Sequence, residues 1–404
     1  MHVDQQYTDT AVRTAHGRVR GEFLPFHVPT IDDDDIAAVV DVLKSGWLTT
    51  GNKAHQFEQR FAEFVGAKHA VAVNSATAAL HIALEAAGVG RGDEVIVPTM
   101  TFAASAEVVL YRGARPVLVD CQADTLNIDP AQIAAKITPR TKAIMPVHFA
   151  GQPCEMTAIQ SLAAVHGLKV IEDAAHALPA RDGARRIGAI GDVTCFSFYA
   201  TKTITTGEGG MATTDNSDWA KKMRVLSLHG ISHDAWNRYS AEGSWYYEIL
   251  YPGYKYNLTD MAAALGLSQL EKCRSFWNAR RRISAAYSRA FADIPEIRVP
   301  ACRADVEHAW HLYVIQLDLE RLRLSRGQCI AALKEKNIGT SVHFMPLHLH
   351  PYYRRELNYQ PGDCPTASRV YERIVSLPIY PKMSDADVAD VIDAVRAIVM
   401  QYRR

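Results

Sequence analysis

From about residue 30 to about residue 215 the chain alternates helix-like and strand-like segments, and this alternation limits the fold more than any other feature. DDDDIAAVVDVLKSG opens on carboxylates, which favour a helix N-terminus, and stops at Gly46. ATAALHIALEAAGVG repeats the pattern, with small residues first and glycine last. EVIVP, PVLVD, KAIMPV and LKVIED are short runs rich in β-branched residues and read as buried strands. AQIAAKI and MTAIQSLAAVHG lie between them as helices. Strands alternating with helices predict an α/β fold, with a mostly parallel sheet covered on both faces.

The texture changes near Thr259. TDMAAALGLSQLEKCRSFWNARRRISAAYSRAFADI predicts one very long helix, placed over 259–290 as a connection out of a large domain at 23–258. The remainder, 291–404, carries fewer strands (HLYVIQL, GTSVHF) and two helices (SRGQCIAALKEKN, DADVADVIDAVRAIVMQY), an α+β pattern for a smaller C-terminal domain. A chain of 404 residues suits such a division. Residues 1–22 are polar, lack an apolar leader core, and read as a weakly ordered arm.

The chemistry-bearing residues cluster at strand ends. In FSFYATKTITTGEGG, Lys202 follows an apolar strand and precedes glycines at 207, 209 and 210. Burial there lowers a lysine's pKa and makes the amine a nucleophile towards aldehydes; a lysine snorkelling at a strand end is the alternative. In VIEDAAHA, Asp173 ends a strand, where α/β sheets place ligands. It reads as a partner for a protonated ring nitrogen or as a helix N-cap. In VNSATAAL, small and hydroxyl residues open a helix after a strand, a favourable seat for a phosphate, and the hydroxyl of Ser197 can join it. GVGRGDE is no dinucleotide fingerprint, because a strand follows its glycines.

SGWLTTG, FEQRFAEFVGAKHAVAVNSATAALHIAL, GDEVIVPTMTFAAS, RTKAIMPVHFAG, VIEDAAHA, FSFYATKTITTGEGG, GYKYNLTDMAAALGLSQL and SLPIYP, in this order, resemble the sugar aminotransferases of the DegT/DnrJ/EryC1/StrS family over about residues 23–403. The resemblance implies the fold-type I transferase architecture, pyridoxal 5'-phosphate as cofactor and its pyridoxamine form as the second state. It makes Lys202 the lysine that bonds the cofactor and Asp173 the partner of its ring nitrogen. His176 falls near the phenolic oxygen, Ala76, Thr77 and Ser197 at the phosphate, and Phe102 against the ring. GYKYN stands where many relatives have GYNYR, a segment serving the neighbouring subunit's phosphate, so Lys255 or Asn257 takes that part in a homodimer. Thr49, Tyr199, His343 and His348 match substrate positions. His308 and His311, in EHAWH, read as structural or pocket-lining. His343, His348 and His350 fit no metal spacing, and no metal is expected.

The resemblance further implies transfer of an amino group from glutamate to a nucleotide-linked keto-sugar. The flavour of KYNLTD and SATA resembles enzymes acting on UDP-linked 4-keto-hexoses for surface polysaccharide or lipid A. A keto-cyclitol acceptor and a cofactor-binding regulator without turnover are the alternatives. A dehydratase of the family would carry histidine in place of Lys202. Lys+Arg and Asp+Glu balance at 44 each, which gives no electrostatic footprint for nucleic acid. No apolar run reaches spanning length, so no membrane partner is expected. Seven scattered cysteines without a CxxC fit a reducing cytoplasm.

Overall fold

The computed structural model describes residues 13–14, 17–232 and 246–404. Most of the expected N-terminal arm lies outside the described residues. Where the described chain resumes, Arg20 is tied to Asp390 at 2.9 Å, and Leu24 packs in the C-terminal hydrophobic cluster, across the boundary expected at residue 23.

Seven strands form the central sheet: β1 His69–Val73, β2 Glu94–Pro98, β3 Arg115–Val119, β4 Thr141–Ile144, β5 Lys169–Asp173, β6 Val193–Ser197 and β7 Gly210–Thr214. Their spatial order is β1-β7-β6-β5-β4-β2-β3, with β7 antiparallel to both neighbours and the remaining pairs parallel. This is the mostly parallel α/β sheet that the alternation predicts. EVIVP is buried at every position, as a strand covered on both faces must be. On one face Phe57, Phe61, Phe196 and Phe198 pack together beneath the long helix; on the other lie Leu80, Ile82 and Leu84.

Local signals set the helix ends. Asp32 caps Asp33–Ser45 in a reciprocal capping box with Asp35, and Gly46 closes it at φ 75°. The long helix runs Asp260–Phe291. The side chain of its first residue reaches back to accept from the N–H groups of Gly51 (2.8 Å) and Ala54 (3.0 Å), which starts the helix Asn52–Val65. The C-terminal unit holds an antiparallel sheet of Ile297–Arg298, Tyr313–Leu317 and Ile374–Leu377, with the helices Arg326–Glu335 and Asp385–Tyr402. GTSVHF is not the strand its composition suggests: it makes an isolated bridge, Ser341 to Ser376, and then turns away. That turn carries His343 and Phe344 to the mouth of the central sheet. A cluster of Met100, Cys121, Phe149, Leu312, Val314 and Ile374 joins the two units there.

Candidate active site

The register of three strands brings the sequence motifs to one place. Val73 at the end of β1 pairs with Gly210 at the start of β7, and Gly210 pairs with Ser197 at the end of β6. Asp173, at the end of β5, pairs with Cys195 of β6. A cavity of about 360 Å³ opens at this edge. Ala76, Thr77, Phe102, Asp173, His176, Ser197, Tyr199, Lys202 and His343 all line it.

One side of the cavity is a helix start. Ser75 caps Ala76–Ala86, accepting from the N–H of Ala78 at 3.1 Å. The N–H groups of Ala76 and Thr77 precede the first intrahelical donor and remain for an anion. Gly210 backs this turn closely: a Cβ there would sit 2.4 Å from the carbonyl of Ser75 and 2.6 Å from the nitrogen of Ala76. These are backbone atoms, so the turn itself would have to move. Gly210→Ala should therefore lose about 1–3 kcal/mol of stability and bind pyridoxal phosphate more weakly. Chemical denaturation and a cofactor titration read the two effects separately, and a fully stable variant with unchanged affinity would contradict the close fit.

Asp173 is buried, and both carboxylate oxygens are oriented. Oδ2 accepts from Ser105 Oγ at 2.7 Å, which is itself 2.8 Å from Thr101 Oγ1, and Oδ1 accepts from the N–H of Ala175 at 3.1 Å. Behind it, the fully buried Glu172 accepts from His148 (2.8 Å), Thr194 (2.7 Å) and the N–H of Gly191 (2.6 Å). The N–H of Cys154 donates to Nδ1 of that histidine, so its proton sits on Nε2 and points at Glu172.

Lys202 stands on a turn held by Lys202 N–H to Tyr199 O (2.9 Å) and Thr206 N–H to Phe198 O (3.0 Å). Its pKa falls to about 8, chiefly through desolvation, with the charge of Asp173 opposing and that of Arg280 adding to the drop. Among the described residues no acceptor meets its ammonium. Burial, then Lys202 and His343, hold His176 well below the usual histidine range. His343 drops to about 4 by burial and by Lys202, and its Nδ1 lies 2.8 Å from Ser376 Oγ. Phe102 is 63 % exposed, an open aromatic face at the rim.

Four of the expected residues lie elsewhere. His348 is fully buried, and Thr99 (2.7 Å) and Ser368 (2.9 Å) take its two nitrogens. Thr49 is exposed outside the cavity. Lys255 donates to Asn257 at 2.6 Å, and Asn257 to Thr50 at 2.7 Å. Asn257 and Thr50 line a different cavity, of about 610 Å³, which also holds the Arg224–Glu58 ion pair at 2.6 Å. Among the described residues no cluster of three metal-ligating side chains occurs. Thr101, Ser105 and Phe344 are cavity or supporting residues beyond the expected set, and His311, read as structural or pocket-lining, lines the cavity.

An amine without an acceptor, an oriented carboxylate, free helix N–H groups and an aromatic rim define the site of a pyridoxal-phosphate enzyme. The residues fit that group: the glycine-backed helix start has donors to spare, and buried His176 lines the same cavity. A family model of DegT/DnrJ/EryC1/StrS aminotransferases matches residues 29–396. The spore coat polysaccharide biosynthesis protein SpsC of Bacillus subtilis (strain 168) is 54% identical over 381 residues, 94% of this chain and 98% of that protein. Spr1654 from Streptococcus pneumoniae, in its PMP form, superimposes with TM-score 0.88 at 36% identity, covering 94% of this chain and 99% of that one. Its PLP form gives 0.87 at 35%. Helicobacter pylori PseC, an aminotransferase involved in the biosynthesis of pseudoaminic acid, superimposes at 0.87 with 29% identity, over 94% of this chain and 100% of that one. The chain belongs to the DegT/DnrJ/EryC1/StrS family of sugar aminotransferases and is a pyridoxal-phosphate-dependent enzyme of the fold-type I class.

Proposed function

We propose that the protein transfers an amino group from glutamate to a nucleotide-linked keto-sugar, a UDP-4-keto-hexose, in the biosynthesis of a surface polysaccharide. The observation that carries the chemistry is the acceptor-free Lys202 amine beside oriented Asp173 in one cavity. The similarity to SpsC supports the polysaccharide context. Bound pyridoxal phosphate supplies an electron sink for the bond being broken at the donor's α-carbon. Lys202 would move the proton between that α-carbon and the cofactor's C4′, and its lowered pKa would suit both taking and returning it. Asp173 would hold the ring nitrogen protonated. Ala76, Thr77 and Ser197 would bind the phosphate, Phe102 would cover the ring, and His176 would serve the phenolic oxygen. Tyr199 and His343, at the open side, contact the substrate.

The deciding assay offers UDP-, dTDP- and GDP-linked 4-keto-hexoses and a free keto-cyclitol to the pyridoxamine-loaded enzyme. Turnover is expected on the nucleotide sugars with UDP preferred; turnover of the cyclitol alone would overturn the substrate reading.

The working unit is a homodimer. Lys255 and Asn257 lie off their own chain's Lys202 cavity, and the segment before them exposes Tyr246, Tyr247, Ile249, Leu250 and Tyr251. In the dimer these polar side chains would serve the partner's phosphate. Mixing Lys202→Ala protein with an Asn257→Ala, Lys255→Ala double variant should restore part of the activity, because one of the two sites in a heterodimer is then intact. An active monomer in sedimentation, or no recovery in verified heterodimers, would defeat the shared site. The seven free cysteines accord with a reducing cytoplasm. Among the described residues no helix is long and apolar enough to cross a membrane.

A further inference from the structure

The segment after Val306 is held more tightly than a surface connection needs. The Ala309 N–H donates to Gly151 O at 2.8 Å, and the Leu312 N–H to Ala150 O at 3.2 Å. Trp277 Nε1 donates to His308 O, and the Trp310 N–H donates to His308 Nδ1, both at 2.8 Å. The fully buried Arg280 reaches from the long helix to donate to His311 O at 3.1 Å and Ile379 O at 2.7 Å. Trp310 sits at φ 53°, a left-handed conformation unfavourable for a bulky side chain. Gly151, at φ 99°, lets the segment close on the cavity: a Cβ there would lie 2.7 Å from His176 O and 2.8 Å from Ala309 Cβ. Strain fixed from several sides marks a position worth testing for function.

What the segment delivers is His311. Its ring lies 4.4 Å from that of His176, tilted by 34°, and both residues line the Lys202 cavity. Both are buried, and Nδ1 of each has no hydrogen-bond partner. A neutral imidazole carries one proton. A buried nitrogen without an acceptor is a poor place for it, so the proton belongs on Nε2 of each ring. Those nitrogens are not sealed in and meet no partner among the described residues, so they are the ones left to meet a ligand. Burial and the nearby His176, Lys202, Arg280 and His27 all oppose a charge on His311.

We propose that His311 is a further functional residue of this site: with His176 it presents a pair of neutral Nε2–H donors that bind one anionic oxygen group of the bound ligands. That oxygen comes either from the cofactor ring or from a carboxylate of the amino donor. The inference rests on the cavity being the pyridoxal-phosphate site.

The test compares His311→Phe, which keeps a flat ring and loses the donor, with His311→Gln, which returns an N–H near Nε2. His311→Phe should weaken pyridoxal-phosphate affinity and shift its absorbance-against-pH curve, or raise the KM for the amino donor, by about ten- to a hundred-fold in the affected constant. His311→Gln should recover most of that loss. A purely structural histidine would favour the ring-shaped variant. The two sources separate: a change with cofactor alone assigns the ring oxygen, and a raised donor KM with an unchanged cofactor titration assigns the carboxylate. If His311→Phe matches wild type in both, or His311→Gln is equally impaired, the proposal is wrong. A wild-type measurement covers a variant that fails to fold. In ¹⁵N-histidine spectra of cofactor-loaded enzyme, His311 should report the neutral Nε2–H tautomer between about pH 6 and 9, and an Nδ1–H tautomer or an imidazolium there would overturn it. Wild-type protein that takes up no pyridoxal phosphate would refute the cofactor reading, a result distinct from either outcome for His311.

Discussion

Lys202→Ala protein is expected to keep its affinity for pyridoxal phosphate within about ten-fold and to lose turnover by at least about a hundred- to ten-thousand-fold, the usual worth of a positioned acid–base group. On the proposed reading affinity survives because the phosphate and ring contacts would belong to other residues that line the cavity: the helix start at Ala76, Asp173 and Phe102. Lys202→Arg should not rescue, since a guanidinium stays protonated and cannot bond the cofactor. Borohydride treatment of loaded wild-type enzyme, followed by peptide mapping, should find the pyridoxyl label on Lys202. A label on Lys142 or Lys221 would move the site elsewhere. Stability gives an independent check. The pKa of Lys202 is about 8 in the folded apo-protein, against 10.5 for an ordinary lysine. The unfolded chain therefore binds this proton more tightly, and the group costs folding free energy. The cost is full below pH 8, shrinks between pH 8 and 10.5, and vanishes above. Its scale is on the order of 3 kcal/mol, partly offset in an alanine variant by lost packing. Apo Lys202→Met, which keeps the stem, should unfold at higher denaturant than wild type at pH 7, with the gap closing towards pH 10.5. Equal midpoints at both pH values would mean that the amine is not desolvated.

The residues readable from sequence are those whose signal is local. Lys202 between an apolar strand and a glycine turn, Asp173 at a strand's end and Ser75 before a small-residue helix each declare themselves within a few positions. Strand register then brings them together: Val73, Gly210 and Ser197 are cross-strand neighbours, and nothing in any one motif says so. His348 shows the converse. The family resemblance gives it a substrate role beside His343, but Thr99 and Ser368, distant in sequence, occupy both its nitrogens. GTSVHF has strand composition, yet after Ser341 it leaves the sheet and becomes cavity wall. Lys255 and Asn257 carry a recognisable motif, but their distance from the Lys202 cavity depends on where GYKYN crosses the end of β1, which it does through the Asn257 bridge to Val73. His311 depends on Arg280, a buried charge in the middle of a long helix, whose two unpartnered nitrogens no periodicity would reveal.

Asp173→Asn should fold like wild type and lose turnover by about a hundred- to a thousand-fold, the range seen when a preorganised electrostatic partner is removed. The substitution is nearly isosteric. The amide oxygen can still accept from the N–H of Ala175, now 3.1 Å away. The amide nitrogen, placed at Oδ2, would face the hydroxyl of Ser105 donor to donor, but that hydroxyl can rotate towards Thr101, already 2.8 Å distant. The local fold thus has a way to absorb the change, and the expected stability loss is about 1 kcal/mol, one ordinary hydrogen bond. The charge is not replaced. A neutral amide does not favour a protonated ring nitrogen, and without that proton the cofactor is a weaker electron sink. The loss should appear mainly in kcat, because the interaction grows as charge develops in the transition state. Ser105→Ala serves as the control. It removes one of the hydrogen bonds that orient the carboxylate and leaves the charge, so it should cost about ten-fold or less in turnover. An Asp173→Asn enzyme as active as Ser105→Ala would show that orientation alone, and not the carboxylate charge, is what this strand end contributes.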